Sequence, residues 1–155
     1  MFDISEVALR LGAATLIGAA IGLNRDLHGK PTGVRTLGLV ALGAAAITFA
    51  AGHIPGTAGV DGSAMSRVMQ GVLTGIGFLG AGVIIHEDAN HRVRGLTTAA
   101  CAWITACIGM VCGVGDWSIV LVTVPLVLLL LFLGGPLEKM ARRSWKHDGE
   151  TPHDG

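Results

Sequence analysis

The sequence predicts an all-α fold, a polytopic membrane helix bundle of five transmembrane helices with the N-terminus outside and the C-terminus inside. Three observations predict it. Apolar residues make up 51% of the 155 positions and charged residues only 14%, with a mean hydropathy of +0.62; soluble domains carry roughly 25% charge. Five apolar stretches recur, each close to the ~17–25 residues that cross a bilayer as a helix. The cations also segregate. Given five spans, Arg25, Lys30, Arg35, Arg92, Arg94, Lys139, Arg142, Arg143 and Lys146 fall on one side, Arg67 alone on the other, and Arg10 inside the first span. The positive-inside rule makes the basic side cytoplasmic. Formal net charge is zero, so the chain as a whole offers no footprint for nucleic acid.

The first span runs from about Val7 to Leu23. Asp3 and Glu6 precede it and a basic loop follows, which is the wrong pattern for a signal peptide. Glu6 stands one helical turn before Arg10, in the favourable acid-first order. Gly18 and Gly22 form a small-residue packing pattern. Asn24 to Arg35 read as a loop, punctuated by Pro31 and Gly33. The second span, about Thr36 to Gly52, carries no charge. A Gly/Pro/Ser linker containing Asp61 follows, with Ser63 as the expected N-cap of the third helix. The third span is about Ser66 to Ile85, the fourth about Leu96 to Val114, and the fifth about Trp117 to Leu133, bent or thinned at Pro125. Gly134, Gly135 and Pro136 are expected to stop it. Residues 1–136 thus read as one transmembrane domain. Residues 137–155 read as a cytoplasmic tail, first basic, then polar and without fixed structure.

The third span carries the most information. Gly71, Gly75 and Gly82 fall in one narrow stripe at 100° per residue, with Arg67, Gln70 and Thr74 beside it. Such a stripe admits another backbone at close range, and the polar residues can hydrogen-bond across the contact. Gly75 to Gly82, with Gly77 and Gly80 between, also fits the dinucleotide fingerprint. That fingerprint needs a strand before it and an acid about 20 residues on; here the glycines lie inside an apolar span. His86 to Arg92 resembles a zinc-protease motif, but position 90 is Asn and His91 is one place too far. Cys101, Cys107 and Cys112 form no metal or disulfide pattern and read as small apolar filler. No catalytic constellation, cofactor site or metal site is predicted. Arg10 and Arg67 are the charges of most interest, because an ionisable group in or near the bilayer core points to function by default.

Three stretches together resemble the MgtC/SapB family of bacterial membrane proteins: Gly18 to Ala44, Arg67 to Ile85, and Val93 to Gly115. GIGFLGAG followed a short loop later by RGLTTAA is the most specific part. The resemblance adds Asn24, Arg25, Arg35, Thr97 and Thr98 to the functional polar candidates, alongside Arg10, Arg67 and Gln70. The family usually has an acid where this chain has Asn24. Some members carry a soluble C-terminal domain; this sequence reads as a short form, so partners of that domain are not implied. The resemblance implies a multi-pass inner-membrane protein tied to growth at low magnesium and, in pathogens, to survival inside host cells. The family's best-studied member inhibits the F1Fo ATP synthase.

The expectation is therefore a non-enzymatic regulatory protein in the lipid bilayer that contacts a membrane-protein partner, the ATP synthase or a transporter, or a second copy of itself. Close packing falls to Gly18, Gly22, Gly71, Gly75, Gly77, Gly80 and Gly82. The alternatives are a magnesium or other ion carrier, which requires a polar path across the bilayer, and a structural subunit with no ligand.

Overall fold

A computed structural model describes residues 3–53, 62–84 and 95–147, with 62, 63 and 136–147 by backbone alone. The helices are α1 (Ile4–Leu27), α2 (Val34–Ala51), α3 (Gly62–Ile84), α4 (Leu96–Val114) and α5 (Trp117–His147). Each contains a segment long and apolar enough to cross a membrane. No strand occurs among the described residues. Helix is the only economical choice for single spans in hydrocarbon, where every unpaired backbone group costs several kcal/mol. Ile4, Leu16, Leu39, Phe78, Leu121 and Leu130 are each more than two-thirds exposed. In water such surface drives association; in a bilayer it is the lipid face.

The bundle is organised around α2. One side of α2 meets α1, where Gly18 lies against the Leu37 carbonyl and the Ala41 side chain; a methyl at Gly18 would sit 2.6 Å from that oxygen. The other side meets α4, where Gly109 lies against the Ala41 backbone and Gly113 against the Ala45 carbonyl. Leu37, Ala41 and Ala45 are fully buried between them. With no hydrophobic drive between helices in lipid, association rests on van der Waals contact, and small residues bring backbones close. A second cluster of Ala44, Ile76, Ala106 and Met110 joins α3 to α2 and α4. Val120 and Val127 tie α5 to the main core.

Two boundaries differ from expectation. Asn24, Arg25 and Asp26 are not loop residues: α1 continues to Leu27, and only residues 28–33 turn the chain into α2. Gly134, Gly135 and Pro136 do not stop α5, which runs on to His147. In the sequence its apolar run gives way to charge at Glu138 and Lys139. One proline removes one hydrogen bond, whereas breaking a helix at the interface frees several groups. The following Leu-Glu-Lys-Met-Ala-Arg-Arg run has high helix propensity. α5 is likewise continuous through Pro125. α3 opens at Gly62, which puts Ser63 in its first turn rather than at the cap. Asp61, the His86–Arg92 loop and residues beyond 147 lie outside the described residues.

Candidate functional site

At the end of the bundle carrying the α1–α2 turn, the last turn of α1 buries Asn24 and Arg25, which are 7% and 3% exposed. The guanidinium of Arg25 is fully engaged. Its Nε and Nη2 donate to the Pro31 carbonyl, both at 3.2 Å. Nη2 also donates to Thr98 Oγ1 at 2.5 Å, and Nη1 approaches Cys101 Sγ at 3.3 Å. The Pro31 carbonyl is presented by Thr32, whose φ of 63° is a region β-branched residues seldom occupy. The Thr32 hydroxyl donates to that same oxygen at 2.5 Å. Local backbone strain thus helps aim an acceptor at Arg25.

No carboxylate among the described residues pairs with Arg25. Its neighbour Asp26 turns away to accept from Val34 N at 3.0 Å, capping α2. Gly33 makes room for that carboxylate, which occupies the place a side chain would need. Asn24 Nδ2 is buried with no hydrogen-bond partner among the described residues. A buried cation met only by neutral acceptors is costly. The C-terminal dipole of α1 favours it, while the N-terminal dipole of α4 opposes it. The arrangement is a buried guanidinium held by neutral acceptors from the α1–α2 turn and α4.

Arg10 occupies the opposite end. It donates to the Gly113 and Val114 carbonyls at 2.9 and 2.7 Å, pairs with Glu6, and lies 5.5 Å from the centre of the Phe49 ring. The charge inside the first span is therefore neither free nor reaching to the interface alone. It caps the C-terminus of α4, where the helix dipole is negative. Gly115 serves this contact twice: its φ of 88° ends α4 in the left-handed region, and the Arg10 guanidinium fills the space of a missing Cβ. Gly115→Ala is expected to cost about 1–2 kcal/mol from the backbone alone, read as a lowered Tm of the purified protein in detergent. At the N-terminus of α1, Asp3 accepts from Ser5 N at 3.1 Å. Hydrogen bonding to Ser5 holds its carboxyl below the usual carboxylate range.

The remaining candidates are distributed. Gly22 packs on Gly33 and Val34, and Gly80 on Ala99. Gly71, Gly75, Gly77 and Gly82 have nothing within 4 Å of where a side chain would begin. The stripe is an open face of the bundle, and Phe78, 80% exposed, projects from it. Gln70, Thr97, Arg35 and Arg67 are exposed. Arg67 has no side-chain partner among the described residues. The Gln70 carbonyl accepts from Thr74 Oγ1 at 2.8 Å, within the helix. Thr98 alone of the threonine pair joins the Arg25 site.

Sequence reasoning passed over Gly109 and Gly113, although Gly109-x-x-x-Gly113 is the same spacing used to single out Gly18 and Gly22. Cys101, filler by sequence, is in contact with Arg25 Nη1. Sequence reasoning also passed over Thr105, whose Oγ1 is buried midway along α4 without a partner among the described residues. Among the described residues no cluster of His, Cys, Asp and Glu has the geometry to hold a metal.

The family model described as MgtC family matches residues 11–140. The protein SrpB of Synechococcus elongatus is 42% identical over 157 positions, covering 93% of this chain and 84% of SrpB. The protein MgtC of Brucella abortus is 40% identical over 112 positions, and the protein MgtC of Salmonella typhimurium 42% over 110. Those alignments cover 72% and 71% of this chain but only 44% of each MgtC, so the chain spans less than half the length of these relatives. No solved structure shows significant similarity.

Proposed function

Because this chain belongs to the MgtC family, we propose that it is a non-enzymatic regulatory protein of the bacterial inner membrane, acting through helix contacts on a membrane complex. The observation that carries this reading is the contrast between two sets of glycines. Gly18, Gly22, Gly109 and Gly113 are consumed in packing α1 and α4 onto α2, whereas Gly71, Gly75 and Gly82 on α3 are open. A bilayer-facing helix gains nothing from glycine on its own, since each costs about 1 kcal/mol against alanine in a helix. A transmembrane helix of a partner gives those positions a use. The partner class is an energy-coupling or transport complex such as the F1Fo ATP synthase. The physiological setting is magnesium homeostasis, with growth at low magnesium or inside host cells as its readout.

The test is crosslinking in native membranes with identification of the captured proteins, repeated with Gly71→Leu, Gly75→Leu and Gly82→Leu. Loss of the captured complex with retained folding is expected. Complexes left intact by all three substitutions would sink the packing idea.

A second reading, ion translocation, is favoured by one observation. Thr98, Cys101, Thr105 and Cys112 share the buried face of α4 and run from Arg25 towards Arg10. Opposed to it, Gly109 and Gly113 hold α2 in backbone contact along that same face. Magnesium flux into reconstituted vesicles above that of empty vesicles, lost on Thr105→Val, would favour translocation over regulation.

A further inference from the structure

We propose that the groove between α2 and α3 is a binding site for one anionic phospholipid, with an acyl chain between the helices and the headgroup phosphate on Arg35. The groove has a volume of about 730 Å³, within the roughly 300–1,000 Å³ of small-molecule sites. Leu39, Val40 and Ile47 of α2 and Val72, Ile76 and Leu79 of α3 form its walls, with Gly43 and Gly75 on the facing helices and one long side open. From Arg35 to Ile47 it extends ~18 Å along α2 at 1.5 Å per residue. That is close to one leaflet of a ~30 Å hydrocarbon core.

Charge is confined to one mouth. Arg35 and Thr36 line the groove at the start of α2 and are exposed. Arg35 has no hydrogen-bond or ion-pair partner among the described residues, and Asp26 is committed to Val34 N. The Asp26 carboxylate already answers the N-terminus of α2 through Val34 N, so the headgroup contact rests on the Arg35 and Thr36 side chains. An apolar slot of leaflet length with a cation and a hydroxyl at its interfacial end matches an anionic phospholipid in both parts. Free phosphate matches only the mouth. A second protein helix matches only the slot and leaves Arg35 unanswered.

The site shares Gly75 with the proposed partner face, but Arg35 and Gly43 lie on α2, so variants at those two positions test it without altering the α3 stripe. The full-length protein is transferred from nanodiscs of mixed phosphatidylglycerol and phosphatidylcholine into detergent, and retained lipid is counted by native mass spectrometry. One retained phosphatidylglycerol per chain is expected, in preference to phosphatidylcholine and undiminished by excess inorganic phosphate. Arg35→Gln should reduce the preference roughly fivefold, the effect of one interfacial cation. Lys30→Gln, an exposed cation of the same turn outside the groove, should not. Gly43→Leu, which meets nothing within 4 Å of its Cβ position, should fill the slot and abolish retention of either lipid. Equal retention of both lipids by the wild type, or an unchanged preference in Arg35→Gln, overturns the proposal. A change of oligomeric state in Gly43→Leu without lipid loss also overturns it and assigns the groove to protein contact.

Discussion

Gly109→Leu is expected to unfold the bundle or prevent its assembly, with a loss above ~3 kcal/mol. Overpacking a core typically costs about 1–3 kcal/mol because neighbouring side chains shift. At Gly109 the obstacles are the carbonyl oxygen, carbonyl carbon and Cα of Ala41. Backbone in the middle of a membrane helix has no rotamer to change, so α2 and α4 must separate. Separation also opens the contact at Gly113, one turn further, where the Ala45 oxygen lies 2.5 Å from a built Cβ. Because α2 is the common neighbour of α1 and α4, the damage spreads to both. The matching control lies on α3: Gly71→Ala, Gly75→Ala and Gly82→Ala meet nothing within 4 Å. They should leave stability unchanged or raise it by up to about 1 kcal/mol each through helix propensity. Thermal unfolding in detergent, followed by circular dichroism, checks both signs. Destabilisation by the α3 alanines comparable to that by Gly109→Leu would mean that the α3 face is already filled within the chain.

That contrast also shows what was legible in the sequence. Hydropathy and length locate all five helices, since crossing a bilayer imposes both. Small-residue spacing says that a helix tolerates close approach, and at Gly18 and Gly22 the neighbour is the helix next in sequence. It does not say which helix arrives. The same spacing at Gly109 and Gly113 is satisfied by α2, some seventy positions earlier in the chain, while on α3 no helix of the described chain satisfies it. Arg10 shows the limit most sharply. Its Glu6 partner follows from an i,i+4 rule, but the Gly113 and Val114 carbonyls that cap it lie 103 and 104 residues away. Arg25 reads as a loop residue in the sequence for a different reason. Its cluster of polar neighbours and the following proline and glycines read as loop, whereas the helix extends until His28 and the left-handed Gly29 end it.

Arg25→Met is expected to leave the fold stable to within about 1 kcal/mol while removing function, whereas Arg25→Ala should destabilise by about 3–5 kcal/mol. The alanine variant leaves a cavity between α1 and α4, and buried large-to-alanine changes cost about 2–5 kcal/mol. It also removes the donors to Thr98 Oγ1 and the Pro31 carbonyl. Methionine occupies similar space and eliminates a buried cation that has no carboxylate partner among the described residues. Replacing buried charge by apolar volume is often neutral or stabilising, and the Pro31 carbonyl keeps the Thr32 hydroxyl as a donor. The two variants therefore separate packing from charge. Arg25→Lys keeps the charge but cannot form the fork that reaches Pro31, Thr98 and Cys101 together. The readouts are thermal unfolding in detergent and rescue of a deletion strain grown at low magnesium. If methionine destabilises as much as alanine, the guanidinium hydrogen bonds hold the fold and Arg25 is structural. If methionine is stable and inactive while lysine retains part of the rescue, the buried charge itself serves function.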